Sequence, residues 1–342
     1  SPCRLEVRLT GVPLAVAHLD AIDGEAEALL ARLDSKLAEI RARAEASRAS
    51  ADNPPFAIDP HSLIAVESRV ELLRGMIDAR TAEAPARRSR LAMQVVDMAA
   101  HATAVTRELE ALLEGRDPYR TATFDGWREF DSSGVRIPMR VFAPSPDGAV
   151  CGQARPEGPI APRPLVIALH GAGGDENMFM EAYGAGLLRN LAEEHGFLAV
   201  SPLPTGLATS PLHFDLLGRE IKRCHAVYPA PMMILGHSMG AGATASIVSQ
   251  RAESIAAAAM MAGGASISAR GGGVPPIRID AGALDPLIPA SRLARAAEEM
   301  RRAGLDVVFT AHEGRGHTLI VGEVLPEVVA WLLNERASDP SR

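Results

Sequence analysis

From residue 165 onward, short apolar runs recur at Leu165–Leu169, Phe197–Val200, Met232–Leu235, Ile255–Met261, Ile277–Ala281 and Val307–Ala311. Each has the length of one strand rather than of a buried helix. The first of them is continuously apolar, as expected of a central strand covered on both faces. Most are separated by segments that read as helices: Tyr183–His195, Leu216–Val227, Ala241–Glu253, Ala290–Ala303 and Val324–Glu335. Strand–helix alternation of this kind demands a mainly parallel sheet, because each crossover must return over one of its faces. Thr121–Phe130 and Val135–Ala143, turned at Asp131-Ser132-Ser133-Gly134, read as an antiparallel hairpin at its start. The fold class expected is α/β: about eight mostly parallel strands with helices on both faces. This unit spans residues 121–336, with 337–342 as a C-terminal tail.

The chain before it has another character. Residues 24–114 read as helix, with Ala26, Leu30, Leu33, Leu37, Ile40 and Ala44 recurring at steps of four and three. Leu63, Val66, Val70, Leu73 and Ile77 repeat the pattern, as do Leu91, Val95, Met98, Ala102, Val105, Leu109 and Leu112. Such spacing puts one apolar stripe on each of three helices. Asn53-Pro54-Pro55 separates the first from the second, and Pro85 sits at a helix start. Residues 1–120 are expected to form an all-helical N-terminal domain, as a three-helix bundle or as a helical hairpin plus one helix. Each stripe lasts about three heptads, which also keeps open a homo-oligomer formed through these helices.

Composition removes several classes of function. The net charge is -7 and aromatics make up 4%, so neither a basic field nor a stacking platform for nucleic acid is present. No uninterrupted apolar run reaches the roughly 18–20 residues of a transmembrane helix. With 47% apolar residues the chain is not of the disordered class. Cys3, Cys151 and Cys224 lie far apart and form no CxxC, so no metal site is expected from them.

Four loops carry the chemistry, each after an apolar run. Gly236-His237-Ser238-Met239-Gly240 follows Met232–Leu235 and precedes a small-residue helix. A serine between glycines at this spacing fits a tight strand-to-helix turn that lifts its hydroxyl above the sheet. His170-Gly171-Ala172-Gly173-Gly174 follows Leu165–Leu169 and can aim backbone N–H groups at an oxyanion. A phosphate loop is disfavoured there, because Asp175-Glu176 follows in place of a GK[ST] ending. Asp285 lies past Ile277–Ala281, where a carboxylate can fix the tautomer of a histidine. Asp280, inside that run, is its competitor. His317 lies in Gly314-Arg315-Gly316-His317-Thr318 after Val307–Ala311, with His312 as runner-up.

Over residues 121–336 the chain resembles the α/β-hydrolase family. The phrases PLVIALHGAGGDENMF, ILGHSMGAG, GALDPLIP and GRGHT are similar to its esterase, feruloyl esterase, dienelactone hydrolase and polyhydroxyalkanoate depolymerase branches. The resemblance implies Ser238 as nucleophile, His317 as general base and then acid, and Asp285 as the carboxylate that orients it. It implies an oxyanion hole from the N–H of Met239 with one from Gly171 or Ala172. No organic cofactor or metal is required by such a mechanism. The implied activity is carboxylic-ester hydrolysis through an acyl-enzyme, on a small or polymeric ester. A serine peptidase of the prolyl-oligopeptidase type shares the triad order, and a non-catalytic binding protein on a hydrolase scaffold is the third class.

Met178, Phe179 and Tyr183 follow the oxyanion loop and are expected to line an apolar substrate pocket. Pro202–His213 is expected to add to its rim. The chain opens at Ser1-Pro2 rather than at Met. With the secreted members of the resembled family, this gives an expectation of export, secreted or periplasmic, with a cytoplasmic location as the alternative. Cys151 and Cys224 pair only if the 144–164 connection folds back over the helix carrying Cys224.

Overall fold

A computed structural model describes residues 3–9, 12–19, 25–49, 58, 62–63, 66–67, 69–70, 73–74, 77, 98–118, 124–132, 135–144, 162–208, 210–228, 231–267 and 273–338. The chain opens with β1 (Cys3–Leu9) and β2 (Val12–Leu19), paired antiparallel from Cys3 opposite Leu19. The N-terminal part is therefore not all-helical. Apolar residues alternate along β1 at Cys3, Leu5, Val7 and Leu9, a period of two that suits a strand and not a helix.

Helix α1 (Glu25–Ala49) and helix α2 (Met98–Leu113) follow, with helical residues between 62 and 77. Polar pairs fix their arrangement. Arg41 reaches Glu67 at 2.6 Å and Arg74 reaches Asp34 at 2.5 Å, so the middle segment runs antiparallel to α1. Ser62 bonds Asp117 at 2.8 Å and Arg69 pairs with Glu108 at 2.9 Å, so it runs antiparallel to α2 as well. The exposed pairs Arg41–Glu67 and Arg74–Asp34 add little energy. The stripes do the holding: Leu33, Ile40, Val66, Leu73, Val105, Leu109 and Leu112 are buried inside this one chain. Leu91, Val95 and the start at Pro85 lie outside the described residues, as does Cys151 and with it any pairing to Cys224.

The eight-stranded sheet follows: β3 (Phe124–Ser132), β4 (Val135–Ala143), β5 (Leu165–Leu169), β6 (Leu198–Pro202), β7 (Met232–His237), β8 (Ile255–Met261), β9 (Ile277–Gly282) and β10 (Val307–His312). Their spatial order is β10-β9-β8-β7-β5-β6-β4-β3. β3 and β4 pair antiparallel, β4 joins β6 antiparallel, and the six from β5 to β10 run parallel. Between them run α3 (Leu187–His195), α4 (Pro204–Ala208), α5 (Pro211–Cys224), α6 (Met239–Arg251), α7 (Ala290–Arg302) and α8 (Leu319–Ser338).

Strand alternation divides the core into two layers. Leu165, Ile167 and Leu169 face one apolar cluster, shared with α5, α6, α7 and the N-terminal helices. Val166 and Ala168 face the other, shared with α3 and α8. Both faces are thus covered, as a parallel sheet requires. The chain leaves β5 towards β6 on one side and returns to β7 on the other. The C-terminal ends of β5 and β7 therefore flank a switch point, where such sheets open a crevice.

Candidate active site

Ser238 stands at that crevice, between β7 and α6. Its backbone has φ 53° and ψ -113°, a region that costs a non-glycine residue about 1–3 kcal/mol. The surroundings impose it. The Ser238 amide donates to the Met261 carbonyl at 3.0 Å, and its own carbonyl accepts from Gly242 at 3.2 Å. A Cβ on Gly236 would overlap the Gly240 carbonyl, and one on Gly240 would overlap the Leu169 carbonyl. The two glycines of the motif are what let the helix start so close to the strand.

His317 and Asp285 come to this serine from loops past β10 and β9. Ser238 Oγ lies 2.8 Å from His317 Nε2, and His317 Nδ1 lies 2.7 Å from Asp285 Oδ2. The other carboxylate oxygen, Oδ1, accepts the amides of Leu287 at 2.8 Å and Ile288 at 2.9 Å. Burial works to raise the pKa of Asp285. The amide of Ile288, His317 and the amide of Leu287 outweigh it and hold the carboxyl below its ordinary value. An ionised carboxylate with both oxygens engaged thus fixes one face of the imidazole, and a serine hydroxyl meets the other.

No protein-family model matches the chain, and no curated protein sequence does. Solved structures do. An S-formylglutathione hydrolase of Staphylococcus aureus superposes with TM-score 0.51 at 13% identity, over 62% of this chain and 99% of its own. A ferulic acid esterase superposes with TM-score 0.51 at 14% identity, over 63% of this chain and 99% of that one. A thermostable esterase is 22% identical at TM-score 0.48, over 61% of this chain, which spans 62% of that esterase's length. The chain has the α/β-hydrolase fold.

Within this hydrolase fold the competitors fall away from the serine. Asp280 and His312 bond each other at 2.8 Å, on strands β9 and β10. Of the oxyanion candidates, Gly171 has its amide engaged, donating to Tyr183 Oη at 3.4 Å. Met239 is the first residue of α6, where backbone N–H groups have no partner within the helix.

The pocket residues need correction. A π-helical turn over Met178–Ala182 rolls Phe179 fully into the core, and Tyr183 is buried with it, so neither forms a pocket wall. Met178 is partly buried against the same core. Of the seven exposed large apolar residues among those described, Met239, Leu284, Leu287 and Leu319 lie within two residues of Ser238, Asp285 or His317. A cavity of about 690 Å³ lies at the opposite end of β7, lined by Arg219, Lys222, Pro231 and Arg251 among others. Among the described residues, no three His, Cys, Asp or Glu side chains cluster as metal ligands, and no helix is long and apolar enough to cross a membrane.

One support for the site left no local mark in the sequence. Buried Arg140 of β4 donates to Asn177 at 2.8 Å and Glu181 at 3.0 Å, and pairs with Asp125 of β3. Arg189 pairs with Asp125 and with Glu181, each at 3.0 Å. Burial would raise the pKa of Asp125, but Arg140, Arg189 and Arg69 hold it well below the carboxylate range. These ions tie the segment after the 170–174 glycine loop to the sheet. Arg69 of the N-terminal helices joins them through the Asp125 carbonyl.

Proposed function

We propose that the chain is a serine carboxylic-ester hydrolase. The observation that carries this reading is the unbroken line from Ser238 Oγ through His317 to Asp285, at 2.8 and 2.7 Å. A serine hydroxyl is a weak nucleophile until a base removes its proton during attack. His317 Nε2 takes that proton as Ser238 Oγ adds to the ester carbonyl, while Nδ1–H donates to Asp285 and steadies the imidazolium. The tetrahedral oxyanion accepts hydrogen bonds from the amides of Met239 and Ala172. Gly171 is left out of this pair because its amide already serves Tyr183.

Collapse breaks the carbon–oxygen bond to the alcohol, which leaves with the proton held on His317. A water molecule then adds to the acyl-enzyme, giving its proton to the same imidazole, and the acid departs as Ser238 is restored. The exposed Met239, Leu284, Leu287 and Leu319 support an apolar acyl group over a charged one. Residues 1–120 supply no reacting group in this scheme and serve as support.

The test is hydrolysis of p-nitrophenyl esters of increasing acyl length, beside aminoacyl p-nitroanilides and a Ser238→Ala control. Ester cleavage that disappears in the control is the expected result. Equal cleavage by the variant, or cleavage of the anilides alone, overturns the reading.

A further inference from the structure

A second line of hydrogen bonds runs beside the first, and the scheme above leaves it idle. His237, immediately before Ser238, is 3% exposed, and Tyr183 is 4% exposed. Tyr183 Oη lies 2.7 Å from His237 Nδ1, and His237 Nε2 lies 2.9 Å from the carbonyl oxygen of His317. The Gly171 amide closes the line on Tyr183 Oη.

Its proton positions follow from elementary rules. A carbonyl only accepts, so His237 Nε2 carries the hydrogen. Burial pushes the pKa of His237 down to about 4, against the weaker pull of the His317 carbonyl, so the ring is neutral and Nδ1 is bare. Tyr183 must then donate to Nδ1, which leaves its oxygen to accept from Gly171. The rings follow the same path, with centroids 5.1 Å apart for Tyr183 and His237 and 5.0 Å for His237 and His317. A Cβ on residue 171 would sit 2.8 Å from His237 Nδ1, so the line closes only over a glycine.

We infer that His237 and Tyr183 are positioning residues, which hold the main chain of His317 and the oxyanion loop at Gly171 in place around Ser238. The inference rests on the catalytic reading of Ser238 given above. Asp285 orients the imidazole of His317 from its side chain, and His237 anchors the same residue from its backbone. Tyr183 carries that anchor across to the loop whose next residue is Ala172. Without it the base and the oxyanion donor drift independently, and a misplacement of about 1 Å costs up to about a hundredfold in rate.

The experiment compares the parent protein with Tyr183→Phe, His237→Gln and His237→Asn. Phenylalanine keeps the ring against Phe179, whose centroid is 4.8 Å away, and removes only the hydroxyl. The expected result for Tyr183→Phe is a kcat lower by roughly tenfold to a hundredfold with KM within about twofold and a cooperative melt. Glutamine restores an N–H near the place of Nε2, whereas asparagine falls short, so His237→Gln keeps roughly tenfold more activity than His237→Asn.

Tyr183→Phe and His237→Asn proteins that fold and keep kcat within about twofold of the parent overturn the inference. Should the variants fail to fold, nitrogen-15 NMR of the parent decides. A proton on His237 Nδ1 instead of Nε2 overturns the inference, and the reverse supports it. Hydrolysis that ignores Ser238→Ala refutes the reading of the serine. Serine-dependent hydrolysis that ignores Tyr183→Phe refutes this inference alone.

Discussion

Two Asp–His pairs stand at one edge of the sheet, one within the neighbouring strands β9 and β10 and one on the loops that follow them, and the second meets a serine. Asp285 and His317 are 2.7 Å apart, Asp280 and His312 are 2.8 Å apart, and each pair is separated by 32 residues in sequence. Neither distance nor chemistry tells them apart. Position relative to the strand end does. Asp280 and His312 lie within β9 and β10, so their side chains obey the alternation of a strand. Ile277, Ile279 and Ala281 take the face shared with α7, and Asp280 takes the other. There Arg278 claims it with hydrogen bonds of 2.8 and 2.9 Å, and Glu327 of α8 takes Arg278 in turn at 3.2 Å. Asp285 and His317 lie past the strand ends, on loops free to aim at the crevice. The same two residue types make an ion-pair cluster in one place and a candidate site in the other.

The comparison breaks first at the residues proposed to react. Ser238→Ala or His317→Ala is expected to lower kcat by at least about a thousandfold, because triad members act as a unit. Asp285→Asn is expected to cost about as much, since it disturbs the tautomer of His317. His312→Asn is expected to leave kcat within about threefold, because its side chain bonds Asp280 rather than Ser238 and its backbone bond to Ala283 is unchanged. Steady-state kinetics on a p-nitrophenyl ester checks all four. A loss in His312→Asn equal to that in His317→Ala would erase the distinction between the pairs.

The second pair answers to a different measurement. Asp280 is fully buried, so Asp280→Asn leaves the Arg278 guanidinium with only the exposed Glu327 as counter-charge and is expected to destabilise the fold by about 3 kcal/mol. Denaturant unfolding should show that loss while kcat per folded molecule holds. A loss under about 1 kcal/mol would mean that the cluster is solvated enough to be inert.

The candidate site was legible because each part is local: an apolar run, then a loop with one reactive residue. That pattern located Ser238, Asp285 and His317 separately, and strand order brought them together. The same pattern favours Asp285 over Asp280, since a residue inside a strand cannot choose its face, and it is Asp285 whose carboxylate meets His317. The β1–β2 hairpin departs from the expected all-helical N-terminal part: the alternation in Cys3–Leu9 is short, and the helical stripes directly after it are longer and stronger. Tyr183 was expected in a pocket wall, as an aromatic residue near the oxyanion loop. The π-helical turn that buries it has no signature in composition or period. Arg140, Asp125, Glu181 and Arg189 could not be paired from sequence, because each contact joins separate elements of the fold.

A third histidine sharpens the contrast through pH. His237 protonates near 6.5 in the unfolded chain and near 4 in the folded one. A lowered folded value means that the unfolded state binds the extra proton, so its contribution is complete above 6.5 and is lost as the pH falls towards 4. The loss is about 2 kcal/mol by pH 5. Unfolding free energies measured from pH 7 to pH 4 should fall less steeply in His237→Gln than in the parent. Parallel curves would place the acid sensitivity elsewhere.

The smallest expected effect concerns the side chains around the favoured pair. Leu284 and Leu287 flank Asp285 and are each 67% exposed, while Val308 is 40% exposed at the far end of β10 from His317. An exposed leucine in water is ordinary, so its position must carry the argument. If the rim receives an acyl chain, each methylene it shelters is worth about 0.8 kcal/mol, or about fourfold in binding. Leu284→Ser and Leu287→Ser are therefore expected to raise KM about fourfold for an octanoate ester and to leave an acetate ester unchanged, because acetate is too short to reach them. Val308→Ser should change neither. An equal rise for both esters would instead report a displaced Asp285 loop, whose Leu287 and Ile288 amides hold the carboxylate. In that case kcat would fall as well, and the acyl chain would have to lie along some other wall of the crevice.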